Sequence, residues 1–163
     1  MISLRINKGW SSHIPVLHRL MPLVEGPVLE LGVGFNSTPF LHWLCQDKGL
    51  QLESFEHISA YYRFFRTFRG DNHKLTYIKN WDDLKIDKHW GLVFIDHCAE
   101  RRTTEVIRLA NNADYVVIHD TQDDENNPYS LEKIWPHYKY RKDFNQFSPR
   151  TTILSNFKEL DNL

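Results

Sequence analysis

Apolar residues in this chain recur in two patterns, short continuous runs and helical spacings, and the two alternate along its length. Val28, Leu29 and Leu31 form a short run bounded by Pro27 and Gly32, the mark of a buried strand. Ahead of it, Val16, Leu17, Leu20 and Met21 fall at helical spacing, so a short amphipathic helix is expected within 12–24. Behind it a helix is expected over 38–48, stopped at Gly49. The run 50–55 reads as a second strand closing on Glu56, and 58–69 as a helix with a basic, aromatic surface. Third, fourth and fifth strands are expected at 74–79, 90–95 and 115–118, with a helix at 103–110 between the last two. A loop rich in Asp, Glu and Asn comes next over 122–128, then a helix at about 129–135. Strands at 138–144 and 151–157 are joined by a turn holding Ser148-Pro149. They are too close in sequence for a parallel crossover and must pair antiparallel.

The segment from Pro27 to Thr38 carries the most chemistry. A strand runs into Gly32-Val33-Gly34, whose glycines let the backbone turn sharply and approach a ligand. Asn36, Ser37 and Thr38 supply capping chemistry for a helix beginning near Pro39. Strand, Gly-x-Gly turn and helix N-terminus together make the nucleotide-binding corner of an open α/β sheet. Asn36 or Ser37 stands where the third glycine of the dinucleotide fingerprint would fall, which argues against NAD.

With Glu30 in the strand, the segment resembles motif I of the class I S-adenosylmethionine-dependent methyltransferases, Glu/Asp-x-Gly-x-Gly. Five strands alternating with helices, then an antiparallel pair, extend the resemblance over nearly the whole chain. It implies an α/β Rossmann-like open sheet of about seven strands, mostly parallel with a terminal antiparallel hairpin and helices on both faces. It also implies a single class I methyltransferase-like domain over 1–163, with no separate cap or substrate domain.

Ligands of such sheets lie beyond the carboxyl ends of the strands, so the residues just after each strand outline the site. The resemblance gives Gly32, Gly34, Asn36 and Ser37 the methionine end of S-adenosylmethionine, and Glu30 its amino group through water. The alternative for Glu30 is a buried acid paired within the core, since burial without a partner is costly. Glu56 is implied to accept both ribose hydroxyls, about 20 residues beyond the glycine turn. Its alternative is a solvated acid at a helix start. Trp81 is a candidate to stack on adenine and Asp82 to accept its amine, against an equal alternative of a helix cap with an exposed ring.

Asp96-His97 comes after the fourth strand and His119-Asp120 after the fifth. Within the family this is loosely similar to the catechol O-methyltransferase group, whose acids after these strands bind Mg²⁺. Asp96 and Asp120 are therefore candidate magnesium ligands. His97 matches that group, while Thr121 replaces its third ligand and Ala99 its catalytic lysine. The competing reading makes one acid the partner of a histidine, His97 or His119, that removes the substrate proton. In the plainest reading all four merely cap loop starts. Arg101 and Arg102 read equally as anion holders or a solvated pair. The arginines of the basic helix face water more readily than they bind nucleic acid, and His13 is a candidate to close over the cofactor.

Bulk properties narrow the partners. The chain has 163 residues, 41% hydrophobic, 25% charged and with a formal net charge of −1, which gives no broad footprint for a polyanion. Nucleic acid is therefore not the expected partner, and no Asn/Asp-Pro-Pro-Tyr signature stands after the fourth strand. No apolar run approaches the ~20 residues of a membrane span, and no signal-peptide core is evident. Cys45 and Cys98 make neither a disulfide framework nor a zinc spacing, so a reducing cytoplasm is expected. The aromatic share of 13% is high, so some rings are expected to line a cleft. The expected activity is S-adenosylmethionine-dependent methyl transfer to an oxygen of a small-molecule acceptor, with a homo-oligomer interface a candidate to complete the pocket. The rivals are a lyase or hydrolase that consumes the cofactor, and a non-catalytic cofactor-binding module.

Overall fold

The computed structural model describes residues 8–122 and 129–163; most of the expected acidic loop, at 123–128, lies outside them. Seven strands form one sheet: β1 (Val28–Leu31), β2 (Leu52–Glu56), β3 (His73–Tyr77), β4 (Trp90–Ile95), β5 (Ala113–Ile118), β6 (Tyr140–Phe144) and β7 (Thr151–Ser155). Their order is β3-β2-β1-β4-β5-β7-β6. Strands β1 to β5 are mutually parallel, and β7 runs antiparallel to both neighbours, β5 and β6. The expected Rossmann-like sheet with a terminal antiparallel pair is therefore the observed one.

The central strands alternate residue by residue between two apolar layers, because successive side chains of a strand point to opposite faces. Leu92 and Phe94 of β4 pack with Val28, Leu52 and Val117 beneath α1 (Ile14–Leu20) and α2 (Ser37–Lys48). Val93 and Ile95 pack on the other face with Leu29, Leu31 and Val116 against α4 (Ala99–Leu109). Cys45 is fully buried in the first layer, and burial pushes its thiol up to about 12. Helix α3 (Ser59–Phe65) inserts Phe65 beside Leu75 of β3. No helix is long and apolar enough to cross a membrane among the described residues.

Three expectations need correction. The helix expected over 129–135 is two 3-10 turns, Leu131–Lys133 and Trp135–His137, because Ser130 takes a left-handed φ of 45° and Pro136 comes shortly after. Helix α4 begins four residues earlier than expected, at Ala99, after an extended Cys98. Asn36 makes no side-chain cap on α2: its Nδ2 donates instead to the Trp10 carbonyl at 2.9 Å, tying the N-terminal segment to the glycine turn.

Candidate functional site

The chain fills one flank of the sheet with β1, β2 and β3, then returns to the other side of β1 with β4, so the strand order reverses between β1 and β4. A crevice must open there. At that point lies a cavity of about 840 Å³, within the range of small-molecule and cofactor sites. Residues 32–37 after β1, 56–58 after β2, 96–99 after β4 and His119 and Asp120 after β5 all line it. Gly9, Trp10 and His13 close one side, with Ser148 and Pro149 of the β6–β7 turn.

Gly32 is fixed by geometry. Its φ is +89°, and a Cβ there would lie 2.8 Å from the Asp96 carbonyl oxygen and from the backbone of His97. The turn can therefore pass the end of β4 only without a side chain. Glu56 is 97% buried, and backbone amides hold both its oxygens. Val33 N donates to Oε2 at 3.1 Å, while His57 N and Ile58 N donate to Oε1 at 2.7 and 2.6 Å. These bonds lock the carboxylate in the cavity wall and couple the turn after β1 to the end of β2.

Glu30 does not line the cavity. Its carboxylate lies under the turn, accepting from Thr38 Oγ1 at 2.9 Å and Ser54 Oγ at 2.6 Å. Thr38 Oγ1 also accepts from Gly34 N at 2.9 Å, so Glu30 supports the turn from behind. Trp81 and Asp82 are also outside the wall. Trp81 is buried edge-on to His97, ring centroids 4.3 Å apart, and the exposed Asp82 pairs with Arg101 at 2.7 Å. The elements bring Gly32, Gly34, Asn36, Ser37, Glu56, Asp96, His97, His119 and Asp120 together around one cavity, and leave Glu30, Trp81 and Asp82 out of its wall.

The far end is polar. Arg102, in the first turn of α4, is buried and ties the ends of β4 and β5 together. It donates to Asp96 Oδ1 at 2.8 Å, Asp120 Oδ2 at 3.2 Å, the His97 carbonyl at 2.8 Å and the His119 carbonyl at 2.9 Å. It is neither a solvated residue nor a free anion holder. Burial alone would raise the Asp96 carboxyl, but the His119 hydrogen bond and the Arg102 charge outweigh it and hold the group below its usual range. His119 Nδ1 lies 3.3 Å from both Asp96 Oδ1 and Asp120 Oδ1, and its Nε2 is 2.8 Å from Ser12 Oγ.

His13 and His97 are both at least 95% buried in the wall, and none of their ring nitrogens has a hydrogen-bond partner among the described residues. Burial pushes His13 down to about 3, helped by His119 and opposed by Asp96. Burial likewise pushes His97 down to about 3, with Arg102 adding to it. Both rings are neutral at ordinary pH, and each carries one donor and one acceptor nitrogen.

The residues do not fit magnesium on Asp96 and Asp120. The Arg102 guanidinium already bridges the two acids, and the hydroxyl of Thr121 bonds Thr152 at 2.7 Å, behind the site. Ser12 and Trp10 were not legible as site residues, because their partners are remote: Ser12 and His119 are 107 residues apart. The one signal was the polar cluster Trp10-Ser-Ser-His13 at a helix start. Arg102 falls in the first turn of a helix only because α4 begins at Ala99.

No protein-family model matches the chain, and no curated protein sequence does. Solved structures do. It is similar to a methyltransferase from Pyrococcus furiosus, 14% identical, TM-score 0.63, over 89% of this chain and 83% of that one. Cofactor-bound Rv0187 from MTB is 14% identical, with TM-score 0.64, over 97% and 84%. The N-terminal domain of human METTL16 in complex with SAH is 12% identical, with TM-score 0.66, over 97% and 75%. Strand order, the glycine corner and these likenesses agree: the chain has the class I S-adenosylmethionine-dependent methyltransferase fold.

Proposed function

We propose that this protein is an S-adenosylmethionine-dependent methyltransferase that methylates an oxygen of a small-molecule acceptor. One observation carries the reading: a single cavity has the Gly32–Ser37 turn and Glu56 in one part of its wall and the Asp96–His119 pair in another. The residues fit the cofactor. The glycine turn leaves backbone open to the cavity, Glu56 adds a carboxylate, and the unpartnered nitrogens of His97 and His13 call for a polar ligand. Bound there, S-adenosylmethionine supplies an electrophilic methyl group.

In this reading Glu56 accepts the ribose hydroxyls, and the backbone of Gly32 and Gly34, with Asn36 and Ser37, holds the methionine end. Glu30 is a positioning residue, acting through Thr38 on the Gly34 amide. Trp81 holds the His97 ring. The acceptor hydroxyl meets the polar end of the cavity, lined by His13, Asp96, His119 and Asp120, and loses its proton there. Asp96 and Asp120 face His119 Nδ1, and Arg102 keeps both acids in place. The rest of the catalysis is alignment and exclusion of water.

The test is incubation with methyl-labelled S-adenosylmethionine and a panel of phenols, catechols and sugars. Label on an acceptor oxygen supports the reading. Consumption of the cofactor without acceptor points to a lyase or hydrolase, and binding without turnover to a non-catalytic module; either result overturns it.

A further inference from the structure

His119 sits between Ser12 and two carboxylates at the end of β5. Ser12 Oγ donates to the Gly9 carbonyl at 3.1 Å and lies 2.8 Å from His119 Nε2. His119 Nδ1 faces two carboxylate oxygens, Asp96 Oδ1 and Asp120 Oδ1, each at 3.3 Å. Arg102 answers the acids from the α4 side.

His13 completes the cluster. It is 98% buried, its two ring nitrogens have no partner among the described residues, and its ring stands edge-on to that of His119 with centroids 4.7 Å apart. One nitrogen of each histidine and one Asp96 oxygen lie within 4.8 Å of one another. An ion about 2.0–2.2 Å from each would draw them together by roughly 1 Å. Two imidazoles and a carboxylate, with open positions towards a cavity, are a donor set for a borderline transition metal rather than for magnesium. Ser12 then has the role usual behind a ligating histidine, taking the other ring N–H and fixing the tautomer.

We propose that His13, His119 and Asp96 hold one divalent transition-metal ion of the zinc class at the acceptor end of the cavity, with Ser12 orienting His119. With three protein ligands, the ion would have a position open to an acceptor oxygen. The inference rests on the methyltransferase reading only for the acceptor; the site itself stands on the ligand geometry.

Full-length protein is stripped with chelator, dialysed and titrated with Co²⁺ followed by visible absorption, and with Zn²⁺ by calorimetry. One ion of each per chain is expected, with Zn²⁺ displacing Co²⁺ and millimolar Mg²⁺ displacing neither. His13→Gln and His119→Gln should abolish the cobalt bands, and Ser12→Ala should weaken affinity on the order of 10–100-fold. Circular dichroism identifies any variant that fails to fold, and Ser12→Ala provides a second, milder probe. If no stoichiometric binding is seen, the proposal falls. It falls equally if His13→Gln, folded, binds as well as the parent. Cobalt binding without S-adenosylmethionine binding would defeat the methyltransferase reading and leave the metal site standing; the converse would defeat the metal site alone.

Discussion

Ser54 donates a 2.6 Å hydrogen bond to Glu30 from the neighbouring strand, at a point where neither residue touches solvent. The bond belongs to a longer buried chain. Gly34 N, Thr38, Glu30, Ser54 and His73 succeed one another at 2.6–2.9 Å, and His42 stands 3.1 Å beyond. The glycine turn is thus connected through the α2 side of the sheet to a half-buried histidine near edge strand β3.

That chain makes a pH prediction. Burial raises the Glu30 carboxyl from 4.5 to about 7, against the Ser54 and Thr38 hydrogen bonds that favour its ionised form. The folded state therefore holds a proton that the unfolded state releases above 4.5. The Glu30 contribution to stability is complete below pH 4.5 and is lost as pH rises through 7. Burial moves His73 the other way, from 6.5 to about 4, so its contribution is lost as pH falls, and the two offset each other in the parent protein. Glu30→Gln removes one side of that balance. Its stability relative to the parent should climb between pH 4.5 and 7 by on the order of 3 kcal/mol, measured by urea unfolding across that range. A difference that stays flat with pH would show that Glu30 is ionised in the folded state.

Arg102 is predicted to hold the ends of β4 and β5 together. Removing one partner of a buried ion pair leaves uncompensated charge, and here two carboxylates and two carbonyls lose a donor at once. Arg102→Ala should cost about 3–5 kcal/mol in chemical denaturation. Arg102→Lys should recover little of it, because an ammonium cannot present the same fork to four acceptors. Full recovery by lysine would mean that charge alone is what counts.

Gly32→Ala tests the closest backbone approach in the site. The substitution meets a left-handed φ and a 2.8 Å clash with the backbone after β4, neither of which a rotamer change relieves. Destabilisation of roughly 2 kcal/mol or more is expected from calorimetric melting. A variant melting with the parent would mean that the turn and the end of β4 separate easily.

The parts of this molecule legible in the sequence are those whose causes are local. Val28 to Gly34 reads as strand and turn because apolar run and glycines are contiguous, and Gly49 ends α2 in the left-handed conformation its type suggests. Antiparallel pairing of β6 and β7 is dictated by the short connection between them. What escaped depends on distance or on side-chain direction. Ser12 meets His119 only because the segment before α1 crosses the ends of β4 and β5. Trp81 has the right place in the sequence for a base-stacking ring, yet it packs inward on His97, and nothing in Asn80-Trp-Asp-Asp83 encodes that choice. Glu30 has the motif position of a cofactor ligand, but Ser54 and Thr38, from separate elements, draw its oxygens beneath the turn. Arg102 escaped because its role depends on where α4 begins.

Glu56 provides the sharpest test of the cofactor assignment. Its carboxylate is held by three backbone amides and lines the cavity, so Glu56→Gln replaces an acceptor-only group with one whose amide must face a donor. Loss of charge-assisted bonds to the ribose should weaken S-adenosylmethionine and S-adenosylhomocysteine by on the order of 1.5–3 kcal/mol. Both ligands should raise the melting temperature of the parent protein, while NAD and NADP should not, since Asn36 and Ser37 stand where the dinucleotide turn needs a glycine. Loss of amide bonds also loosens the turn, so calorimetric affinity is read beside unfolding free energy. Weakened binding in a variant whose stability is little changed assigns the effect to the ribose contact. Unchanged affinity in a folded Glu56→Gln protein would remove Glu56 from the cofactor site, and stabilisation by a dinucleotide beyond either sulfonium or thioether ligand would overturn the methyltransferase reading.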